Sequence, residues 1–508
     1  MHKLFKATMI VTIFSVLTRG LGFILRIILS RELGAEMLGH YQVAMSIFGV
    51  LMTLVASGLP LVASRTVAYK KSVGDNKGAH ATITACLIVT LSISILVSVI
   101  LYCFPGILSV IFHQDTTTGI VLYLLPALVV SSVYVTLRSA LWGEKHFFAM
   151  SFTEFFEQIV RIILCFILFI PSFLPNVQMG EKAALSLSLA SIASCLLVIV
   201  IYFKLKDGFA NPKKQFKPLL KSSLPITTVR TVSSFVTSLI AVIIPLRLTL
   251  YGYSSAEAMA QFGIVMGMTF PLIMIPGTLI SSLAVAIVPE ISGNTNNIDD
   301  KSSVRDFAGL KKHVNLAISI SAILTMIFVP AFIVLGKPIC QILFGSEEAG
   351  IYVARAAIIM LPMGISQITG SLLNSMGLEI KSLINYAISA VALFVCIYFL
   401  PKYIGTNSLI VGMGFMTTIS SVLNIRMLSK RNLFNFGLIK TLIQSCIYAS
   451  LSAGIGYMIY SILILFIPMF FTTIIVGIIC ILIMFTLYYV FNTSGVRGFV
   501  VLKRKNKA

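Results

Sequence analysis

Long apolar segments, separated by short polar connections, recur from one end of the chain to the other. Each runs for about 18–25 residues, which is enough for an α-helix to cross a hydrocarbon core of about 30 Å. Transmembrane β-strands would instead alternate between apolar and polar positions over about ten residues. The pattern therefore predicts an all-α polytopic membrane protein.

The same pattern predicts about fourteen transmembrane helices, whose edges it defines only to within several residues. They are expected at residues 7–29, 41–63, 81–103, 119–141, 154–174, 184–204, 223–246, 262–288, 314–335, 352–373, 383–400, 406–428, 440–462 and 467–490. The connections are mostly short, which favours a helical bundle without a soluble domain.

A weak internal repeat divides these spans into two six-helix lobes. The segment LLPALVVSSVYVTLRSALWGEK after the third span corresponds to MLPMGISQITGSLLNSMGLEIK after the ninth. Parallel repeats of this kind are typical of transporters. We predict an N-terminal lobe, a basic cytoplasmic linker, a C-terminal lobe, and two extra helices with a basic cytoplasmic tail. Their respective limits are 1–203, 204–222, 223–430 and 431–508.

Charge changes this picture in one respect, because it orients the spans. The chain is 58% hydrophobic and 11% charged, with a net charge of +21. If the N-terminus is cytoplasmic, about 28 of the 38 Lys and Arg residues fall in or beside cytoplasmic loops and tails, as the positive-inside rule requires. We therefore expect both termini in the cytoplasm and membrane lipids as surface partners. No aromatic-basic module accompanies the charge, so nucleic acid is not an expected partner.

The residues that would support catalysis are missing or scattered. All six histidines lie in loops or at span ends, and no HExxH or Walker A motif occurs. The eight cysteines are dispersed singly through apolar spans, without metal or disulfide spacing. No pair of acidic residues sits together inside the membrane, beyond the edge of a span, as a hydrolase or glycosyltransferase would need. We expect neither an enzyme nor a cofactor or metal site.

Three arginines instead interrupt the first apolar segment, TRGLGFILRIILSRELGAEMLG. Arg19 lies some 18 Å into the span, at about mid-membrane, where an arginine costs roughly 2.5–3.5 kcal/mol on insertion scales. Such a residue needs a hydrated or anionic cavity. Arg26 follows on the same helical face and either extends this cavity or snorkels to the interface, as we expect of Arg31. Gly20 and Gly22 leave little bulk beside Arg19 and favour close helix packing.

Two further spans carry charges one to two turns inside their cytoplasmic edges. In FTEFFEQIVRIIL, Glu157 and Arg161 form an i,i+4 pair, which is either a self-neutralising structural pair or part of a gate. Arg230 lies in LPITTVRTVSSF, at the start of the seventh span. Arginines bind phosphate oxygens through two parallel hydrogen bonds. Arg19, Arg26, Arg161 and Arg230 therefore predict a cationic cavity for an anionic group such as a diphosphate.

Several stretches resemble the family of stage V sporulation protein B and its polysaccharide-transport relatives. They include TRGLGFILRIILSRELG, FFEQIVRIIL, MAQFGIVMGMTFPLIMIPGTLISSLAVAIVPEIS, ILFGSEEAG and LLNSMGLEIKS. The resemblance implies the multidrug/oligosaccharidyl-lipid/polysaccharide exporter superfamily, related to lipid II flippases. It implies fourteen spans, two six-span lobes and a central cationic cavity, in which Arg19 matches a cavity arginine. Arg26 lies one place from a second such arginine.

Lipid II flippases also have arginines in the second and eighth spans, which are free of mid-membrane charge here. Arg230 or Arg161 is hypothesised to compensate. The resemblance implies a flippase in the bacterial cytoplasmic membrane. It would move an undecaprenyl-diphosphate-linked saccharide, such as lipid II for spore cortex synthesis, to the outer leaflet by alternating access. Cell-wall synthesis proteins are candidate partners. The alternatives are an ion-coupled drug or cation antiporter of the same superfamily, and a non-transporting scaffold.

Overall fold

The computed structural model describes residues 2–112, 114–205, 208–281, 284, 307–435 and 437–491. Their regular secondary structure is helical throughout. Within these residues, 12 helical stretches are long and apolar enough to cross a membrane. The first of them, Met9–Ser72, contains two predicted spans, and the helix Phe147–Leu168 corresponds to another. All fourteen predicted spans thus lie mainly on helices, and the prediction of an all-α polytopic membrane protein is confirmed.

Parts of the predicted organisation lie outside the described residues. These parts are 282–283 and 285–288 of the eighth predicted span, 206–207 of the predicted linker, and the basic tail from 492 onwards.

The chain forms two compact units, the first of which comprises Met1–Thr249 and Tyr253–Gly263. Its helices in chain order are α1 (His2–Ala56), α2 (Gly58–Ser72), α3 (Asn76–Cys103), α4 (Gly106–Phe112), α5 (Asp115–Gly143), α6 (Phe147–Leu168), α7 (Met179–Lys204), α8 (Phe216–Leu250) and α9 (Ser255–Gly263). The unit extends beyond the predicted linker, since α8 begins inside it and Leu219 joins the buried core. The division into six-helix lobes stays a prediction.

Helix α1 holds the first predicted span and most of the second, with a sharp kink between them. Gly34 adopts a φ of 70° at the kink. This left-handed conformation is strained for a residue with a Cβ, so glycine is suited to the position. Residues 30–40, which lie between the first two predicted spans, are helical on both sides of Gly34. The Glu, Leu, Ala and Met residues among them are all good helix formers.

The second half of α1 packs closely against α9. A Cβ added at Gly39 would collide with the carbonyl oxygen of Met259, and one added at Gly263 would collide with that of Ala35. Two backbones approach this closely only where small residues face each other. The two glycines therefore determine how near α1 and α9 lie within the first unit.

The second unit comprises Leu250–Gly252 and Ile264–Ala508. It opens with a π-helix, Ile264–Thr269, and contains a short 3₁₀ helix, Ala357–Ile359. Its α-helices are α10 (Phe270–Ile273), α11 (Phe307–Phe344), α12 (Glu347–Ala356), α13 (Met360–Ser375), α14 (Glu379–Phe399), α15 (Pro401–Ile404), α16 (Asn407–Lys430), α17 (Gly437–Leu463) and α18 (Met469–Val490).

The last two helices, α17 and α18, pack against α11 and against each other. The Ser452 hydroxyl on α17 donates a 3.0 Å hydrogen bond to the carbonyl oxygen of Cys480 on α18. Gly456 lies against the Cys480 thiol. A small residue and a hydroxyl at the contact are the usual means by which helices associate in lipid.

Candidate functional site

The parallel packing of α1 and α6 determines which charged residues meet in the first unit. The Phe14 ring on α1 makes edge-to-face contacts with Phe148 and Phe155 on α6, with ring centroids 5.6 Å apart in each pair. Aromatic pairs favour this arrangement. Both helices then continue in the same direction, and Arg26 and Arg161 lie further along them. Arg26 and Arg161 are within electrostatic range of each other.

Tyr41 links these two arginines. The Arg161 guanidinium donates a 2.5 Å hydrogen bond to the Tyr41 hydroxyl, and the Tyr41 side chain is only 3% exposed. Tyr41 also interacts electrostatically with Arg26. Arg26 precedes the Gly34 kink and Tyr41 follows it by similar numbers of residues. The two residues can therefore lie side by side on the two arms of α1. The Arg26 side chain is exposed at the surface of the unit, so an accessible cation is backed by a buried polar network.

The structure turns Glu157 and Arg161 towards different hydrogen-bond partners. The Ser191 hydroxyl on α7 donates a 3.3 Å hydrogen bond to Glu157, while Arg161 bonds to Tyr41. The two charges still attract each other electrostatically. The Arg161 Nε is buried and has no hydrogen-bond partner among the described residues. A buried guanidinium nitrogen without an acceptor is costly, so a rearrangement that gives this atom an acceptor would be favourable.

Arg19 lies on α1 about 10 Å before Arg26, as the rise of an α-helix dictates. Its side chain is exposed and makes a polar or electrostatic interaction. The expected close packing at Gly20 and Gly22 is wrong, since no described atom lies within 4 Å of a Cβ built at either glycine. Among the described residues, the two glycines therefore leave open space beside Arg19.

Arg230 on α8 lies at a different place in the first unit. Its guanidinium donates a 3.4 Å hydrogen bond to the carbonyl oxygen of Ser57, at the break between α1 and α2. Ser57 is the N-cap residue of α2, so this hydrogen bond holds Arg230 at the break between the two helices. The side chain is otherwise exposed. The structure therefore joins Arg26 and Arg161 through Tyr41, whereas Arg230 binds at the helix break.

Sequence reasoning missed two ion pairs in the same unit. Arg138 on α5 pairs with Glu154 on α6, and Lys71 lies 2.7 Å from Glu144. The Arg138–Glu154 pair could have been predicted from the sequence. The turn between α5 and α6 is short, and the two residues lie at similar distances before and after this turn. Tyr41 was also missed, since tyrosines at span edges usually mark the membrane interface. Arg138 is thus already paired with a carboxylate, in contrast to Arg26 and Arg161.

The resulting arrangement is suited to an anion. Arg26 and Arg161 repel each other, and among the described residues the Glu157 carboxylate offsets the charge of Arg161. An anion with several oxygens would relieve this repulsion and accept hydrogen bonds from both guanidinium groups. The arrangement differs from a cation site, in which acidic groups would outnumber basic ones.

The fold and the long apolar helices define the class of this protein as a multi-pass α-helical membrane protein. A family of proteins described as polysaccharide biosynthesis proteins matches residues 4–294, which is more than half of the chain. The chain belongs to this family. It is also similar to stage V sporulation protein B of Bacillus subtilis (strain 168), with 24% identity over 365 residues, or 68% of either protein.

Solved structures share the fold. The lipid II flippase MurJ, in an inward closed conformation, has a TM-score of 0.72 at 15% identity, and the match covers 95% of this chain and 99% of that one. An inward-facing multidrug resistance MATE family transporter of the MOP superfamily has a TM-score of 0.64 at 15% identity, over 81% and 94% of the two chains. The predicted resemblance to stage V sporulation protein B and its polysaccharide-transport relatives is confirmed, and the fold is the one found in these two solved structures.

Proposed function

We propose that this protein is a flippase that moves an undecaprenyl-diphosphate-linked saccharide from the inner to the outer leaflet by alternating access. The observation that carries the proposal is the pairing of Arg26 and Arg161 through the buried Tyr41. A diphosphate has the charge and the oxygen atoms to bind both guanidinium groups. The saccharide would occupy aqueous space, while the lipid tail remains in the bilayer.

Glu157 has a role in this proposal as a temporary counter-charge. It interacts with Arg161 when no cargo is bound and is held by Ser191 on α7. A diphosphate that binds Arg161 would replace this interaction, which makes the pair a candidate gate. Arg19, with open space beside it on α1, would form the next contact along the path of the headgroup. Arg230 would contribute by exchanging its hydrogen bond to the Ser57 carbonyl oxygen for one to a phosphate oxygen.

The names of the relatives guide the choice of cargo. MurJ is named as a lipid II flippase, and another relative as a sporulation protein. We propose lipid II, or another peptidoglycan precursor for the spore cortex, as the carried molecule. The protein would lie in the bacterial cytoplasmic membrane with both termini in the cytoplasm, and cell-wall synthesis proteins would be further partners. Transport requires no covalent chemistry from the protein, so it would not act as an enzyme.

A cation or drug antiporter is the second candidate, and Glu157 is the residue that favours it. An intramembrane carboxylate that accepts a hydrogen bond from a hydroxyl group is a reasonable cation or proton site. Arg161 lies one helical turn away, however, and weakens the attraction of this site for a cation. A scaffold that transports nothing is the third candidate. It would not require Arg26 or Arg161 for function once folding is preserved.

The decisive experiment measures lipid II translocation in cells depleted of their own flippase. Wild type is compared with Arg26→Gln and Arg161→Gln at matched abundance in the membrane. Loss of one charged hydrogen bond to a phosphate costs about 1.5–3 kcal/mol, so each variant should reduce apparent cargo affinity by roughly 10- to 150-fold. Arg31→Gln serves as the matched control on the same helix, because Arg31 is predicted at the interface and should translocate like wild type.

Three outcomes would contradict the proposal in different ways. Equal translocation by wild type and both variants would make the arginines structural. No translocation of lipid II by wild type would exclude this cargo, and a second assay with other lipid-linked saccharides would then test the flippase itself. Drug or cation efflux by wild type, without lipid II translocation, that is lost in Glu157→Gln but retained in Arg161→Gln would favour the antiporter.

A further inference from the structure

An apolar groove of about 630 Å³ opens on the surface of the second unit, between α12 with the following 3₁₀ helix and α16. Its walls are formed largely by aliphatic and aromatic side chains, among them Ile359, Ile410 and Phe415. Ile358 and Phe415 at the rim are 70% and 53% exposed, so the groove is open to its surroundings rather than enclosed. Helices predicted to span the membrane form both walls, so lipid is the expected surrounding of the groove.

The groove has a polar end and an apolar end. Arg355 and Asn407 line the polar end, where the Arg355 guanidinium donates a 2.8 Å hydrogen bond to the Asn407 side chain. Both residues lie near the ends of their predicted spans, at the level where headgroups meet the hydrocarbon core. From Asn407 to Thr418, the last lining residue on α16, the groove extends about 16 Å along the helix. One leaflet of a 30 Å hydrocarbon core has about this depth.

These dimensions and this polarity match one kind of molecule. An acyl chain that enters at headgroup level would run along Ile410 and Phe415 and end near Thr418. The charge at the entrance is positive, since the amide of Asn407 orients Arg355 without neutralising it. A phosphodiester at that level would accept hydrogen bonds from the same guanidinium. A zwitterionic lipid would gain less from Arg355, because its own ammonium group competes for the phosphate, and a neutral lipid has no anionic phosphate to offer.

We propose that this groove is a binding site for one anionic phospholipid, with an acyl chain along α16 and the phosphate on Arg355. Under the predicted topology, the lipid belongs to the outer leaflet. The site lies entirely within the second unit and shares no residue with Arg26, Arg161 and Tyr41. It therefore stands independently of the proposed transport activity.

The test is native mass spectrometry of the delipidated protein titrated with phosphatidylglycerol and, separately, with phosphatidylcholine. Wild type should retain one phosphatidylglycerol with roughly tenfold or greater preference over phosphatidylcholine. Arg355→Gln should lose most of this preference, and Arg355→Lys should keep much of it, since the charge remains. Thr418→Trp should weaken retention of both lipids, because the exposed Thr418 side chain lies at the deep end of the groove.

Lys402→Gln is the matched control. Lys402 lies on α15 close to the same end of the spans, but its ammonium group sits 5.7 Å from the centre of the Tyr403 ring and does not line the groove. This variant should bind phosphatidylglycerol like wild type. Equal retention of both lipids by wild type overturns the proposal. So does an equal loss in Lys402→Gln and Arg355→Gln, which would indicate a diffuse surface charge instead of a site.

Discussion

The Tyr41 hydroxyl accepts a hydrogen bond from Arg161 inside the first unit, and it offers a sharp test of the proposed anion site. Tyr41→Phe removes this acceptor and leaves the ring in place. The free energy of unfolding should fall by about 1–3 kcal/mol, because a half-buried guanidinium loses a partner. Arg161 would also be less firmly oriented, so the apparent affinity for a lipid-linked diphosphate should fall several-fold. Thermal unfolding and the translocation assay measure the two effects separately.

Tyr202→Phe provides the control for this substitution. Tyr202 is 1% exposed and donates a 3.1 Å hydrogen bond to the carbonyl oxygen of Gly208, away from the arginines. Its loss should destabilise the protein by about 1 kcal/mol without changing cargo affinity at matched abundance. If both tyrosine variants transport equally well, Tyr41 contributes to folding alone and does not orient Arg161.

The sequence predicts the charged residues of this site better than their neighbours. Arg19, Arg26 and Arg161 stand out because an ionised side chain within a span is costly and needs a reason. Tyr41 gives no such signal, since its polar atom is small and it lies at a predicted span edge. Its contact with Arg161 depends on the Gly34 kink and on the approach of α6. Both are properties of the packed bundle and leave no periodic pattern in the sequence.

Helices α1 and α9 approach each other at Gly39 and Gly263, where side chains would collide with backbone atoms. We expect Gly39→Val to lower the melting temperature, because overpacking costs about 1–3 kcal/mol and rigid backbone cannot move aside easily. The melting temperature of the purified protein, followed by the loss of monodisperse elution on heating, measures this change. Gly263→Ala should act in the same direction.

Gly20→Ala is the matched control on the same helix. No described atom lies within 4 Å of a Cβ at Gly20, and alanine favours a helix over glycine by up to about 1 kcal/mol. The variant should melt at the same temperature as wild type or higher. A comparable loss of stability in Gly20→Ala and Gly39→Val would show that the measured effect comes from helix flexibility and not from close packing.

Hydrophobic runs predicted the spans because a helix that crosses lipid must be apolar over its length. The interruptions and extensions of the helices were harder to read. The connection at 30–40 contains charged residues and was placed outside the predicted spans, yet it is helical around Gly34. Likewise, α8 begins at Phe216, within the predicted basic linker. Polar residues at the membrane surface are compatible with a helix as well as with a loop, so hydropathy does not distinguish the two structures.

The distribution of basic residues predicts the orientation of the entire bundle. About 28 of the 38 Lys and Arg residues fall on one side, which the positive-inside rule assigns to the cytoplasm. Two lysines on opposite predicted sides test this assignment. Lys213 lies in the connection between α7 and α8, and Lys402 in the short helix between α14 and α16. Both side chains are exposed, so substitution by cysteine should not disturb packing.

The measurement uses a variant without its eight native cysteines, into which Lys213→Cys or Lys402→Cys is introduced. A membrane-impermeant maleimide should label the Lys402→Cys variant in intact cells and the Lys213→Cys variant only after permeabilisation. The parent variant without cysteines controls for background, and equal translocation by all three shows that they are folded. Labelling of the Lys213→Cys variant alone in intact cells would reverse the topology. It would place the groove at Arg355 in the cytoplasmic leaflet, and Arg161 and Arg230 would then lie nearer the outer surface, away from a cargo that is made inside.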